Sequence, residues 1–165
     1  MLLISANIIS RIHDSRTPRV ALRTGREWQR NTMMENDGAM PERIRANAGL
    51  VISVAREELR QEIGYDEAGV RWLDGYIKGQ HDQGDPKNLD GLVNTLGAYL
   101  GECIVHSFGG EWANIDGSWG IRFDERNAAF PFAKVRKQLE NGAGDSVLSF
   151  FALIPAVLRR SGPGA

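Results

Sequence analysis

A single cysteine, Cys103, and three histidines, His13, His81 and His106, are the only thiol and imidazole groups in this 165-residue chain. One thiol cannot close an intramolecular disulfide, and three scattered histidines beside it match no usual zinc spacing. Neither a metal nor a cofactor is expected. Lying among Leu100, Ile104 and Val105, Cys103 reads as a buried small hydrophobe rather than a reactive nucleophile, with a reducing cytoplasm as its setting. Long apolar runs are missing too. The stretch from Val147 to Leu158 is interrupted by Pro155 and falls short of the roughly 20 residues that span a bilayer. The opening MLLISANIIS has no basic region ahead of its apolar residues and no small-residue cleavage site, so it does not read as a secretory signal.

Two nucleotide and hydrolase signatures are also lacking. NGAGDS at 141–146 has neither the glycine spacing nor the lysine of a phosphate loop and does not follow a strand; a helix stop followed by a helix cap accounts for it. No serine sits in a nucleophile elbow. The net charge is −1, which gives no overall case for nucleic acid or an anionic membrane.

What is present is a chain of ordinary globular composition, 42% apolar and 25% charged, long enough to bury one core. Charge divides it. Residues 1–33 hold six arginines against Asp14 and Glu27, and every methionine lies before residue 41. Residues 1–40 therefore read as a basic, flexible leader and linker, or as an extension ahead of a start at Met33, Met34 or Met40. Residues 41–158 read as the globular domain and 159–165 as a disordered tail. Arginine outnumbers lysine sixteen to four, which points to a GC-rich bacterial source.

Periodicity predicts the elements. MMENDGAMPE at 33–42 reads as a linker, broken by Gly38 and Pro41. Val51, Val54, Ala55, Leu59 and Ile63 share one face of a helix that Gly64 stops. Asp66 caps a second helix with Val70, Leu73, Tyr76 and Ile77 inward, and its polar end, KGQHDQGD, reads as a loop. Asp85-Pro86 starts a third helix with Leu89, Leu92, Val93, Leu96, Leu100, Cys103 and Ile104 on a broad stripe. On that helix Gly97 and Gly101 permit close packing. Asp116-Gly117 is a two-residue hairpin turn between strands 111–115 and 118–123, with Trp119, Ile121 and Phe123 alternating. A short strand, AAF, follows the turn DERN. Helix 133–140 then ends at Asn141-Gly142, and Asp145 or Ser146 caps a last helix that Pro155 ends or kinks. The prediction is a single α+β domain with a three-stranded antiparallel meander over about 111–130 against about five helices.

Few residues carry chemistry. Glu102 and His106 stand i,i+4 on the third helix, where a carboxylate orienting an imidazole makes a general acid/base couple. The competing reading is an ion pair bracing the helix against the meander, and it is preferred. Asp74 and Asp90 are further carboxylates. His81 reads as solvated surface. Trp112, Trp119, Phe130 and Phe132 read as core before they read as a stacking platform. Lys134, Arg136, Lys137 and Arg122 form a basic group diluted by Glu140, Asp124 and Glu125.

LGAYLGECIV, GGEW, SWGIRF, FPFAKV and NGAGDS, within Leu73 to Pro155, resemble segments of small uncharacterised bacterial proteins, some of the immunity type found beside polymorphic toxins. The resemblance covers about half the chain. It implies a cytoplasmic protein-binding module and carries no catalytic residues over. The expected function is a non-enzymatic protein-binding module, an immunity-type inhibitor meeting a basic toxin through Asp85, Asp90, Asp124 and Glu125. The alternatives are a small hydrolase using Glu102 and His106, and nucleic-acid binding through the arginine-rich arm.

Overall fold

Twelve of the twenty residues of one helix, Leu89–Phe108, are buried, and the rest of the fold is built around it. The computed structural model describes residues 26–84 and 88–160, with side chains from residue 39 onward. In chain order these form α1 (Arg26–Leu59), α2 (Glu67–Asp82), α3 (Leu89–Phe108), β1 (Glu111–Ile115), β2 (Ser118–Arg122), β3 (Ala128–Ala129), α4 (Pro131–Asn141), a 3₁₀ turn (Gly142–Asp145) and α5 (Val147–Arg160). The expected α+β domain, with an antiparallel meander in the order β1-β2-β3 and five helices, is what the described residues form. No single described helix is long and apolar enough to cross a membrane.

Helix α3 packs on α1, α2, α4, α5 and β2. Its two central glycines explain the close approach. A Cβ on Gly97 would stand 2.9 Å from the Phe132 Cα, and one on Gly101 would run into the Trp112 indole. Along α1, Ile44, Ala48, Val51 and Ala55 are buried at helical spacing while Arg56 and Glu57 stay outside. Cys103 is fully buried, as expected.

Several boundaries differ from expectation. Helix α1 runs through 33–42, the expected linker. Pro41 withholds one N–H and Gly38 costs about 1 kcal/mol of propensity, neither enough to stop a helix whose later turns are anchored in the core. Its end is Leu59, not Gly64, because Arg60 turns left-handed (φ 55°). Helix α2 continues to Asp82 through the expected loop. Lys78 bridges Asp82 at 2.6 Å, and the His81 ring meets the Leu139 carbonyl at 2.9 Å. That tertiary contact makes His81 half-buried rather than solvated. Helix α3 is capped by Asn88, which accepts from the Gly91 N–H at 3.0 Å; Asp85 and Pro86 lie outside the described residues. Helix α5 passes through Pro155 to Arg160. The leader before residue 26 and the tail after residue 160 also lie outside the described residues.

The hairpin follows its sequence closely. Asp116 and Gly117 both take positive φ (50° and 82°), the conformation a tight turn between twisted strands requires. Register then sorts side chains by face. Trp112↔Ile121↔Ala129 is a buried rung against the helices, while Glu111↔Arg122↔Ala128 is an outward rung. Gly120 belongs to the outward face by position, and the Phe130 ring lies against it, 3.1 Å from where a Cβ would be.

Candidate functional site

Glu102 is 5% exposed, a carboxylate held on the inward face of α3. It is satisfied across the helix–sheet junction: the Trp112 indole N–H donates to Oε1 at 2.7 Å. His106 Nε2 stands 3.8 Å from Oε2, and Arg45 Nε stands 4.0 Å from Oε1. The imidazole is 55% exposed and lies over the Tyr65 ring, centroids 4.9 Å apart and 25° between planes. Helix spacing thus brings Glu102 and His106 together as expected. The hydrogen bond, however, belongs to Trp112, a residue ten positions away. Tyr65, whose phenol is pushed up by burial and then by Glu102 and Cys103, joins this corner with no i,i+4 signal in the sequence.

The other carboxylates do not converge on that corner. Asp74 Oδ1 accepts from the Ser146 hydroxyl (2.6 Å), the Gln138 side chain (3.0 Å) and the Leu148 N–H (3.2 Å). With Gln138 Oε1 accepting from the Val147 N–H (2.9 Å), it fastens α2 and α4 to the start of α5. Ser146, the cap of α5, accepts from the Ser149 N–H at 3.1 Å. Burial pushes the Cys103 thiol up to about 12, which leaves it inert as a nucleophile near neutral pH. Among the described residues no group of three or more His, Cys, Asp or Glu is placed to hold a metal ion.

The expected partner-binding acids also separate. Asp90 is in the first turn of α3, 2.6 Å from Arg136. Asp124 and Glu125 lie beyond the opposite end of that helix, which at 1.5 Å per residue is about 30 Å long. Asp85 lies outside the described residues. Asp124 is occupied: it accepts from the Arg126 and Asn127 N–H groups (2.8 and 2.9 Å) and from the Asn127 side chain. These bonds hold its carboxyl below the usual value, the Asn127 side chain contributing most.

Around Asp124 the outward face of the sheet forms an open cleft of about 890 Å³, lined by Glu111, Ile115, Arg122, Glu125, Arg126 and Phe130 among others. Of these, Glu111, Arg122, Glu125 and Arg126 make no ion pair with a described residue, and Phe130 is 37% exposed. The four aromatics considered together in the sequence divide accordingly. Trp112 and Phe132 meet at 5.5 Å on the inward side, Trp119 is half-buried, and Phe130 stands on the outer face. Phe130 follows the inward-facing Ala129, and its side of the sheet is set by the β2–β3 register, which the Asp116-Gly117 turn does not fix.

No protein-family model, curated protein or solved structure matches this chain.

Proposed function

We propose that the chain is a non-enzymatic protein-binding module and that the cleft over the outer face of the sheet is its contact surface. One observation carries this reading. The cleft combines an exposed aromatic ring with arginines and carboxylates that make no ion pair with a described residue, on a loop pre-organised by Asp124. Aromatic residues, Phe among them, and Arg are enriched at protein interfaces relative to the rest of the surface. In the finer form of the reading the partner is a bacterial toxin, with Glu111 and Glu125 meeting its basic groups. Asp124 then positions the loop rather than making the contact. The acid/base alternative is weaker because the carboxylate it needs is already engaged by an indole N–H.

The test uses the full chain, tagged and recovered from extracts of its own organism, beside a Phe130→Ala/Arg126→Ala variant of unchanged circular dichroism. A stoichiometric protein that the native chain retains and the variant loses supports the reading. A partner held equally by both excludes the cleft, and a chain that retains nothing removes the binding-module reading and returns attention to Glu102 and His106.

A further inference from the structure

Strand β3 lies at one edge of the sheet, with β2 on its other side. The Phe123 N–H donates to the Asn127 carbonyl at 3.0 Å, and the register then sets Arg122 opposite Ala128 and Ile121 opposite Ala129. Along an antiparallel pair, residues that exchange hydrogen bonds alternate with residues that do not. Asn127 and Ala129 therefore turn their backbone groups toward β2, and Ala128 turns its N–H and C=O away from it. Neither group bonds to a described residue, and Ala128 is exposed. Phe130 continues the strand direction (φ −117°, ψ 81°). Its C=O accepts from the Lys134 N–H at 3.1 Å, while its N–H faces the same edge as Ala128. An open edge of this kind is a template for a further strand.

We infer that an extended segment of another protein pairs antiparallel with β3 along this edge, bonding to the Ala128 N–H and C=O and to the Phe130 N–H. The inference rests on the cleft being the contact surface and names what the partner places there. Unpaired backbone donors and acceptors at strand spacing select the occupant in kind, because another strand satisfies them and apolar side chains do not. Register selects its side chains. The outward rung Glu111↔Arg122↔Ala128 continues into one residue of the added strand. That residue stands about 10 Å from Arg122, two strand spacings away, with only the Ala128 methyl between them. Arg122 makes no ion pair with a described residue, and a carboxylate at this position reaches its guanidinium. The residue two positions earlier in the segment lies beside Phe130, whose exposed ring favours an apolar or aromatic neighbour. The partner segment therefore carries an apolar residue two positions before an acid. A second copy of β3 brings Ala128 to the acid position and Arg126 to the apolar one, and so fits neither.

The probe is a blocked peptide in which threonine alternates first with phenylalanine and then with glutamate. Amide hydrogen exchange of the full chain, read by NMR, is expected to be fast at Ala128 and Phe130 and to slow at both when the peptide is added at millimolar concentration. Methylating the glutamate nitrogen of the peptide keeps every side chain and removes one strand bond, and is expected to abolish the protection. Exchanging the peptide's glutamate for glutamine is expected to weaken binding about two- to fivefold. With Arg122→Gln, an exposed change, the two peptides should bind alike. A peptide that fails to bind, or that binds equally when N-methylated, overturns the inference; the cleft reading then still stands if a partner from extracts is lost by the Phe130→Ala/Arg126→Ala variant. Self-association of the chain that slows exchange at Ala128 without peptide overturns it in favour of a second copy.

Discussion

Replacing Trp112 by phenylalanine removes one N–H from a site where, among the described residues, it is the sole hydrogen-bond donor, at 2.7 Å, to a carboxylate that is 5% exposed. His106 and Arg45, at 3.8 and 4.0 Å, are too distant to replace it. A hydrogen bond to a charged group contributes about 1.5–3 kcal/mol, and a buried acceptor left without its donor costs the upper part of that range. The smaller ring also leaves space against Gly101, where the indole packs. At roughly 24 cal/mol per Å³ of cavity this adds about 1 kcal/mol. The expected loss is about 2.5–4 kcal/mol. For a chain of this size it lowers Tm by about 2–4 °C per kcal/mol. A double-mutant cycle with Glu102→Leu isolates the polar part. Each single change orphans one partner of the pair; in the double variant neither remains, so Trp112→Phe should cost only the cavity. Urea unfolding of the four proteins measures this directly. A Trp112→Phe cost that is the same with and without Glu102 would refute the assignment of the indole–carboxylate bond as the link between α3 and the sheet.

Gly97→Ala and Gly101→Ala should each destabilise, although alanine is the better helix former by about 1 kcal/mol. At Gly97 the new methyl meets the Phe132 backbone, which cannot yield, and overpacking of this kind costs about 1–3 kcal/mol. Thermal unfolding of both variants checks this, and an unchanged or raised Tm in either would contradict the packing described at that glycine. Stability should also fall in acid through Asp124 and Asp145. Hydrogen bonds from Asn127 and from Asn141 with Lys134 hold these carboxyls below the usual aspartate value. Groups with a depressed native pKa stabilise fully above the unfolded value and lose that contribution as pH drops through the native one. Tm should therefore be level toward neutrality and fall below about pH 4. The Asp124→Asn/Asp145→Asn variant should show a shallower acid limb, and an identical limb would show that these bonds do not set it.

Local rules account for the elements that were legible in advance. The Asp116-Gly117 turn requires two positive φ values, and this dipeptide supplies them whatever surrounds it. Asp66 caps α2 through its own side chain, three residues from the N–H it accepts. The apolar stripe of α3 declares a helix buried on most sides, and the i,i+4 spacing alone places Glu102 beside His106. The limits of such rules appear where a distant partner competes. The polar run 78–82 remains helical because His81 reaches a carbonyl 58 positions away, and Arg60 ends α1 before Gly64 can.

Sequence by itself determined the fold class, the hairpin and its register, the burial of Cys103 and the adjacency of Glu102 and His106, because each depends on contacts within a few residues or on one periodicity. Tertiary structure alone decided which atom satisfies the Glu102 carboxylate, how Asp74 joins helices more than 60 positions apart, and that the apolar helix α5 has only one face in the core. It also decided that Phe130, Arg122 and Arg126 share an open cleft while Asp90 stands at the far end of α3. Those facts depend on how the sheet faces the helices, and alternation along a strand separates its two faces without saying what, if anything, covers each one.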